Sequence, residues 1–300
     1  ADAYQRAGLP YYPKLVAAVP FTPVTGQRIL LRPDVKSNAE QFEDELIQKM
    51  ISFSKEQELS SIHFLFPTRK EQEKFQNFHF IPRLSTQYHW LSHGEQNFDD
   101  YLARLRSKKR KQIQKERAAV REAGVNISIL HGDEINEEHI RVIWEFYLIN
   151  ASRKWGRAYL KKEFFDKILE NFRHRTVLVL AELNGEWIAG TIGFTKGDVL
   201  YGRYWGSRVQ VPFLHFECCY YAHIDYAIQN KLKRFEAGAQ GEHKFLRGFE
   251  TCPTYSAHWI ARDDARVAID SLVKRETIYV QEMMAQYNRI SPDKVLRSQS

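Results

Sequence analysis

The chain has 300 residues, 43% of them hydrophobic and 27% charged, which is the balance of an ordinary globular protein. This length accommodates two average domains or one large one. Ten prolines and fifteen glycines exclude a collagen-like or low-complexity chain. The apolar runs are far shorter than the roughly 20 residues that a membrane-spanning helix needs.

The cysteine content indicates the redox compartment of the protein, and the net charge indicates the charge of its partner. Three cysteines are too few for a disulfide framework, and two of them, Cys218 and Cys219, are adjacent. This usage is typical of a reducing compartment, so we expect a cytoplasmic protein. The net charge of +7 is typical of a protein with an anionic partner. The chain starts at Ala1 without an initiator Met or an apolar targeting segment, which predicts a processed chain or a fragment.

Residues 1–96 alternate strand-like and helix-like patterns, with Pro and Gly between them. We therefore predict a small α/β unit here. Its strands are predicted at Lys14–Val19, Arg28–Leu31, Ile62–Phe66 and Ser85–Leu91, and its helices at Ser37–Glu58 and from the N-cap Thr68 to Phe75.

A basic segment over residues 97–124 is predicted to be one helix that connects two units and ends at Gly124. It is either a solvated linker or a contact for the phosphates of a nucleic acid or nucleotide-bearing donor. No base-reading motif is present, so a nucleic acid would be bound through its backbone. The contact is predicted at Lys108, Lys109, Arg110 and Lys111.

Residues 125–262 form a second predicted α/β unit. A strand and two helices are followed by three strands, over Thr176–Leu183, Trp187–Thr195 and Val199–Trp205. The Asn184-Gly185 pair is a strong hairpin signal between the first two. A helix over His215–Gln229 and two more strands complete the unit. Residues 263–300 are predicted to form an amphipathic helix and a polar tail.

The stretch after Phe235 combines titratable side chains with glycines, which is typical of a pocket and unusual for a surface loop. Glycines at 238, 241 and 248 leave room for a close approach of substrate. The candidate site residues around them are Glu236, Gln240, Gly241, Glu242, His243, Lys244 and Arg247. A base beside two cations fits an anionic acceptor or a phosphate-bearing donor, and a salt-bridged structural loop is the alternative.

Five segments carry a resemblance to a known family. They span Tyr11 to Ile260: YYPKL (Tyr11–Leu15), PFTPVTG (Pro20–Gly26), HFECCYY (His215–Tyr221), FEAGAQGEHKFLRGF (Phe235–Phe249) and SAHWI (Ser256–Ile260). The chain resembles the Fem-like family of predicted N-acyltransferases, within the GNAT superfamily and related to Fem-type peptidoglycan aminoacyltransferases. The resemblance implies a bacterial protein of the α/β (α+β) class with tandem GNAT-like acyltransferase domains, a basic connecting helix and a C-terminal helix.

The chain departs from the pattern in two places. Family members usually carry another stretch before this one, so the first domain is expected to be N-terminally incomplete. Acetyl-CoA users of the superfamily hold the pyrophosphate on a glycine-rich loop, whereas the equivalent loop here is Ser207–Phe213. Val209 and Val211 cannot copy the close backbone approach, and Pro212 has no amide donor. We therefore expect no tightly bound cofactor, and an acyl donor that is an aminoacyl-tRNA, an acyl carrier protein or an acyl-CoA.

Acyl transfer to an amine needs a proton acceptor and hydrogen-bond donors for the carbonyl oxygen. We assign the proton acceptor to His243 or Glu242, with Lys244 and Arg247 as anion contacts. Glu217 is predicted to orient the amine. Because His215 and Glu217 are two positions apart on one helix, only one of them is expected to face the cleft.

The substrate-binding residues are predicted to be Lys244, Arg247, Glu236, Gln240, Gly241, His215 and Trp155. Trp155 is predicted to lie where one helix ends before the next. There it either lines the other side of the cleft or packs in a helix–helix corner. A Cys218 nucleophile and a metal held by His215, Glu217, His243 and His258 are the weaker alternatives. The predicted activity is N-acyl or aminoacyl transfer to an amine, in cell-wall peptide metabolism. The alternative is a non-catalytic protein that binds cell-wall precursors or RNA.

Overall fold

The computed structural model describes residue 8, residues 11–238 and residues 241–298. The chain divides into two compact units, one of residues 1–87 and 252–286 and the other of residues 88–251 and 287–300. Each unit combines segments that are far apart in the sequence. The prediction from the sequence was of contiguous segments that begin at residues 97, 125 and 263, and it stays a prediction.

Helices and strands are interspersed along the described residues. They are β1 (Leu15–Ala17), α1 (Ala39–Glu56), β2 (Ser61–Leu65), α2 (Arg69–Gln76), β3 (Ile81–Leu91), α3 (Phe98–Arg104), α4 (Ser107–Glu122), β4 (Asn126–His131), α5 (Glu137–Trp155), α6 (Lys162–Asn171), β5 (Thr176–Leu183), β6 (Glu186–Lys196), β7 (Val199–Ser207), α7 (Leu214–Phe216), α8 (Ala222–Gln229), β8 (Arg234–Glu236), β9 (Glu250–Ile260), α9 (Asp263–Ile290) and α10 (Lys294–Ser298). Short 3₁₀ helices occupy Pro33–Asn38, Gly132–Glu134, Arg173–Arg175 and Glu242–Arg247, and a π-helical segment occupies Glu217–Tyr221.

The first unit is built on β2, which pairs in parallel with β1 and antiparallel with β9. Alternate residues of a strand face opposite sides of a sheet. Ile62 and Phe64 therefore face one side together, where they pack with Ile47 and Phe75 of the covering helices. Thr68 is the N-cap of α2, as predicted from the sequence, and it forms a capping box with Glu71.

The second unit contains strands in the order β3-β8-β7-β6-β5-β4. Strands β5, β6 and β7 form the predicted antiparallel meander. Asn184 and Gly185 both have positive φ, 54° and 80°, as the tight turn of a two-residue hairpin requires. The hydrophobic side chains of β5 and β6 face α5 and α6 on one side, where Leu178, Leu180 and Ile192 are fully buried.

Strand β7 separates from its parallel neighbour β8 after only three pairs, from Val199 with Arg234 to Tyr201 with Glu236. It continues to Ser207 along β6 alone within the described residues. A β-bulge falls at the point of separation, because Ile192 pairs with Tyr204 and the next residue pairs with Gly202. β7 therefore has an open edge beside the bulge, and such bulges are common next to active sites.

The basic segment is two helices, and the prediction of a single helix was wrong. α3 ends at Arg104, and α4 begins at Ser107. Leu105 between them is fully buried in an extended conformation and pairs with Asp293, while the Arg106 amide donates to the Pro292 carbonyl. Tertiary pairing with a distant segment therefore breaks the helix, and no local signal reveals it.

The predicted α/β fold class is confirmed. Among the helices of the described residues, none combines the length and the apolarity that a bilayer crossing requires.

Candidate functional site

The candidate site lies in the second unit, between the open edge of β7 and the 3₁₀ helix Glu242–Arg247. The loop after β7 turns into α7 through Phe213, which has a φ of 64°. This loop forms one wall of a cavity of about 480 Å³. The cavity is lined by Arg153, Trp205, Ser207, Val209, Gln210, Val211, Pro212, Leu214 and His215. The predicted loop therefore borders the site, with apolar side chains where a glycine-rich loop would offer amides.

Two predicted site histidines come together beside this cavity. The His215 ring lies 5.4 Å from the Trp205 ring and 6.2 Å from the His243 ring, measured between centroids. His243 Nε2 lies 2.7 Å from the hydroxyl of Tyr220, in the π-helical segment. A line of imidazole and aromatic rings thus runs from the open edge of β7 to the 3₁₀ helix.

His243 owes its position to Gly241. Gly241 has a φ of 112°, and a Cβ there would lie 2.5 Å from Cε1 of the His243 ring. Burial lowers the pKa of His243, and the charges of Arg247 and Lys244 lower it further. His243 is therefore held neutral, with one ring nitrogen available to accept a proton.

Lys244 points into the protein. Its side chain is only 2% exposed, and its ammonium donates to the carbonyl oxygen of Gly238 at 2.7 Å. Burial lowers its pKa to about 8. This contact ties the end of the loop that follows β8 to the 3₁₀ helix. The proposed contact of Lys244 with a substrate anion stays a prediction.

Arg247 is 4% exposed, and every nitrogen of its guanidinium binds a protein group. Nε donates to the Tyr221 hydroxyl at 2.7 Å, Nη1 to the His243 carbonyl at 2.9 Å, and Nη2 to the Glu116 carboxylate at 2.9 Å. The guanidinium carbon lies 3.5 Å from the centre of the Phe216 ring. Arg247 therefore joins α4 to the 3₁₀ helix, and an anion would have to displace one of these partners.

Glu217 is buried and forms a 2.9 Å ion pair with Arg117 of α4. Burial raises the pKa of its carboxyl, against the opposing effect of Arg117. His215, two positions earlier, faces the cavity instead. His215 and Glu217 therefore have different surroundings, and the role of Glu217 in orienting the amine stays a prediction.

A second buried polar group lies where β7 and β8 are still paired. Glu236 forms an ion pair with Arg234, whose Nε lies 3.0 Å from one carboxylate oxygen, and its other oxygen lies 3.9 Å from Nε2 of His89. Burial raises the pKa of Glu236 and lowers that of His89 to about 3. Sequence reasoning missed His89 and also Arg203, whose pKa is lowered by burial. Strand pairing brings His89 to Glu236, and no local spacing reveals it.

Three predicted site residues cannot be placed. Gln240 lies outside the described residues, as do the side chains of Glu242 and Trp155. The predicted phosphate contacts lie at the start of α4, where Lys108 and Lys111 are exposed and Lys109 and Arg110 are half-buried. The opposite side of α4 carries the buried Ile113, Glu116 and Val120.

The structure disfavours the thiol and metal alternatives. Cys218 is fully buried, and burial raises the pKa of its thiol well above the usual value, so it is not poised to act as a thiolate. Among the described residues, no group of three or more His, Cys, Asp and Glu side chains could hold a metal ion.

Comparison with known proteins shows which family the chain belongs to. Residues 1–295 match the FemAB-like family, described as peptidoglycan biosynthesis/recognition. The chain belongs to this family. Membership confirms the resemblance seen in the sequence and makes the protein a transferase of the acyl or aminoacyl type.

Two solved structures share the fold of this FemAB-like protein. L-PGS from Bacillus licheniformis is 10% identical with a TM-score of 0.52, over 76% of this chain and 77% of that one. FemX is 12% identical with a TM-score of 0.52, over 84% of this chain and 85% of that one. A comparison with curated proteins found no match.

Proposed function

We propose that this FemAB-like protein transfers an acyl or aminoacyl group to the amine of a cell-wall peptide precursor, in the cleft between β7 and the 3₁₀ helix Glu242–Arg247. The observation that carries this proposal is the placement of His243. The neutral imidazole of His243 is hydrogen-bonded to the Tyr220 hydroxyl at 2.7 Å. It lies with His215 and Trp205 beside the open edge of β7.

Acyl transfer to an amine requires only a few protein groups. The neutral amine attacks the carbonyl carbon of the donor, a C–N bond forms, and the bond to the leaving group breaks. The proton lost by the amine passes to His243, which returns it to the leaving oxygen or sulfur of the donor, directly or through Tyr220 or solvent. We assign the hydrogen bonds to the carbonyl oxygen to backbone amides of β7 at the bulge of Arg203, where the strand has no second neighbour among the described residues.

A tRNA-linked or carrier-linked donor is part of the proposal. Val209, Val211 and Pro212 line the cavity where a pyrophosphate would need close amides, which argues against acyl-CoA. The exposed Lys108 and Lys111 of α4 support a contact with donor phosphates. A cytoplasmic setting belongs to the proposal as well, and the three free thiols support it.

The donor is tested by native mass spectrometry of the purified protein. We expect a bound tRNA or carrier protein, released by high salt because phosphate contacts weaken with ionic strength. Recovery of acetyl-CoA at stoichiometric level would overturn the donor argument. It would leave the acyltransferase class itself untouched.

The site is tested by transfer of labelled amino acids from total aminoacyl-tRNA to amine-bearing cell-wall peptides. We expect His243→Ala to lower the transfer rate by about 10² or more, as loss of a general base does. His174→Ala is the matched control, because His174 is exposed on the 3₁₀ helix Arg173–Arg175. Transfer by His243→Ala at the wild-type rate would refute the site. Saturable peptide binding without any transfer by the wild type would identify a binding protein.

A further inference from the structure

Two Ser-x-His motifs lie outside the cleft, in the first compact unit. Ser61 and His63 are on β2, Ser256 and His258 are on β9, and the antiparallel register places His63 opposite His258. Because residues two apart share a face of the sheet, all four polar side chains face away from the core that Ile62 and Trp259 help to form. The segment SAHWI (Ser256–Ile260) is one of the five that carry the family resemblance. The acyl transfer proposed for the cleft does not use it.

The four side chains form one hydrogen-bonded row. Ser256 Oγ lies 2.9 Å from His258 Nε2, and His258 Nδ1 lies 2.7 Å from His63 Nδ1. His63 Nε2 lies 2.8 Å from Ser61 Oγ, which lies 3.3 Å from the hydroxyl of Ser60. The row ends on backbone carbonyls, because Ser60 Oγ is 2.8 Å from the carbonyl oxygen of residue 11.

The carbonyl at this end fixes the direction of every proton in the row. A carbonyl only accepts, so Ser60 donates its proton there and accepts from Ser61. Ser61 then accepts from Nε2–H of His63, whose Nδ1 is left unprotonated. His258 must donate its Nδ1–H to that nitrogen, which leaves its Nε2 with a lone pair. That lone pair faces the hydroxyl of Ser256, which is the donor at the other end.

The two ends of the row differ in access. Ser61 is 2% exposed, whereas Ser256 is half-buried and reachable by a small reagent. Burial keeps both imidazoles neutral, with the pKa of His63 lowered to about 4 and that of His258 to about 3. The cations Lys14 and Arg83 lie close enough to His258 to contribute to this shift.

We propose that Ser256, His258 and His63 form a second reactive site, in which Ser256 is a nucleophile toward activated acyl esters. The arrangement is that of a serine, a base and a group that orients the base, with His63 in the place often taken by a carboxylate. His258 is the base. His63 is a positioning residue, since it contacts the reacting hydroxyl only through His258.

The step balances without any further reagent. Ser256 Oγ attacks the ester carbonyl carbon, and its proton passes to His258 Nε2. The new Oγ–C bond forms as the bond between that carbon and the leaving alcohol breaks, and His258 returns the proton to the leaving oxygen. The product is an acyl-serine and a free alcohol, and water can release the acyl group by the same route.

The test uses the whole protein and p-nitrophenyl acetate as the probe, with the acetylated position mapped by peptide mass spectrometry. We expect one acetyl group on Ser256, and its loss in Ser256→Ala. Ser271→Ala is the control, because Ser271 is an exposed serine of α9 whose hydroxyl donates to the carbonyl of Val267. Absence of acetyl-Ser256 from the folded wild-type protein would overturn the proposal, whatever the variants do.

The roles of the two histidines are tested by rates of acetylation. We expect His258→Gln to slow acetylation of Ser256 at least tenfold, and an unchanged rate would refute the role of the base. We expect His63→Phe to slow it too and His63→Asn to restore part of the rate, because the asparagine oxygen can accept the Nδ1–H of His258. Equal rates in His63→Phe and His63→Asn would refute the positioning role. Circular dichroism confirms that each variant is folded.

Discussion

The Nε2 atom of His243 lies 2.7 Å from the hydroxyl oxygen of Tyr220, and the two residues belong to different elements of the second unit. Tyr220 is 3% exposed, and its ring also packs against His215. This bond fixes the orientation of the imidazole that we assign as proton acceptor. The hydroxyl and the ring of Tyr220 can therefore be tested separately.

Tyr220→Phe removes the hydroxyl and keeps the ring. One hydrogen bond of about 1 kcal/mol positions His243, so we expect transfer to fall by about tenfold or less with the fold intact. Steady-state kinetics should place the loss in kcat, and the unfolding midpoint should change little. A variant with wild-type kcat would show that the bond does not orient the base.

Gly241→Ala tests the space that His243 needs. Both this variant and Gly185→Ala carry the strain of a side chain at positive φ, about 1–3 kcal/mol. At Gly185 a Cβ would meet nothing within 4 Å, whereas at Gly241 it would meet the His243 ring. We therefore expect only Gly241→Ala to lose transfer, and to lose more free energy of unfolding in urea. Equal stability losses with unchanged transfer in both variants would contradict the geometry.

Arg247→Met tests whether Arg247 is structural or binds an anion. Removing one partner of a buried ion pair costs about 3–5 kcal/mol, and Glu116 would be left unpaired. Arg208→Met is the control, because Arg208 pairs with Glu145 at the surface, where such pairs contribute about 1 kcal/mol or less. Denaturant unfolding measures both. If Arg247→Met keeps wild-type stability and only raises KM, the predicted anion contact is the better description.

The pair His63–His258 predicts a loss of stability in acid. Their folded pKa values, about 4 and about 3, lie below the ordinary 6.5, so protonation favours the unfolded chain. The stability from the neutral pair is complete above pH 6.5 and is lost as the pH falls toward 4. The nearby positive charges of Lys14 and Arg83 oppose protonation of the pair. We expect the unfolding midpoint to fall with pH less steeply in the double variant His63→Gln/His258→Gln than in the wild type. Equal slopes would mean that other groups carry the acid sensitivity.

Local sequence signals predicted the fold where the structure depends on local interactions. The Asn184-Gly185 turn and the alternation on each side of it located the meander, and Thr68 located the start of α2. They failed where a distant segment intervenes. Leu105 breaks the basic helix because its backbone pairs with Asp293.

The candidate site was predictable only in part for the same reason. Glycines and titratable groups in one loop pointed to His243, whose neighbour His215 lies at the start of the preceding helix. Tyr220 was not found, because a tyrosine on an apolar helix carries no signal of its own. The ion pair of Arg247 with Glu116 was not predicted because Glu116 comes from another helix, and a sequence does not show which charges are already paired.

The π-helical segment Glu217–Tyr221 holds one more residue than an α-helical turn in the same span. The wider turn accommodates the extra residue with little rotation of the residues on either side. Deleting one residue there should therefore restore a regular helix and leave His215 beside Trp205, whereas Tyr220, inside the segment, would change direction and lose its contact with His243. The extra residue of this turn is thus what presents Tyr220 to the cleft, and a single-codon deletion would remove that contact without altering the imidazole.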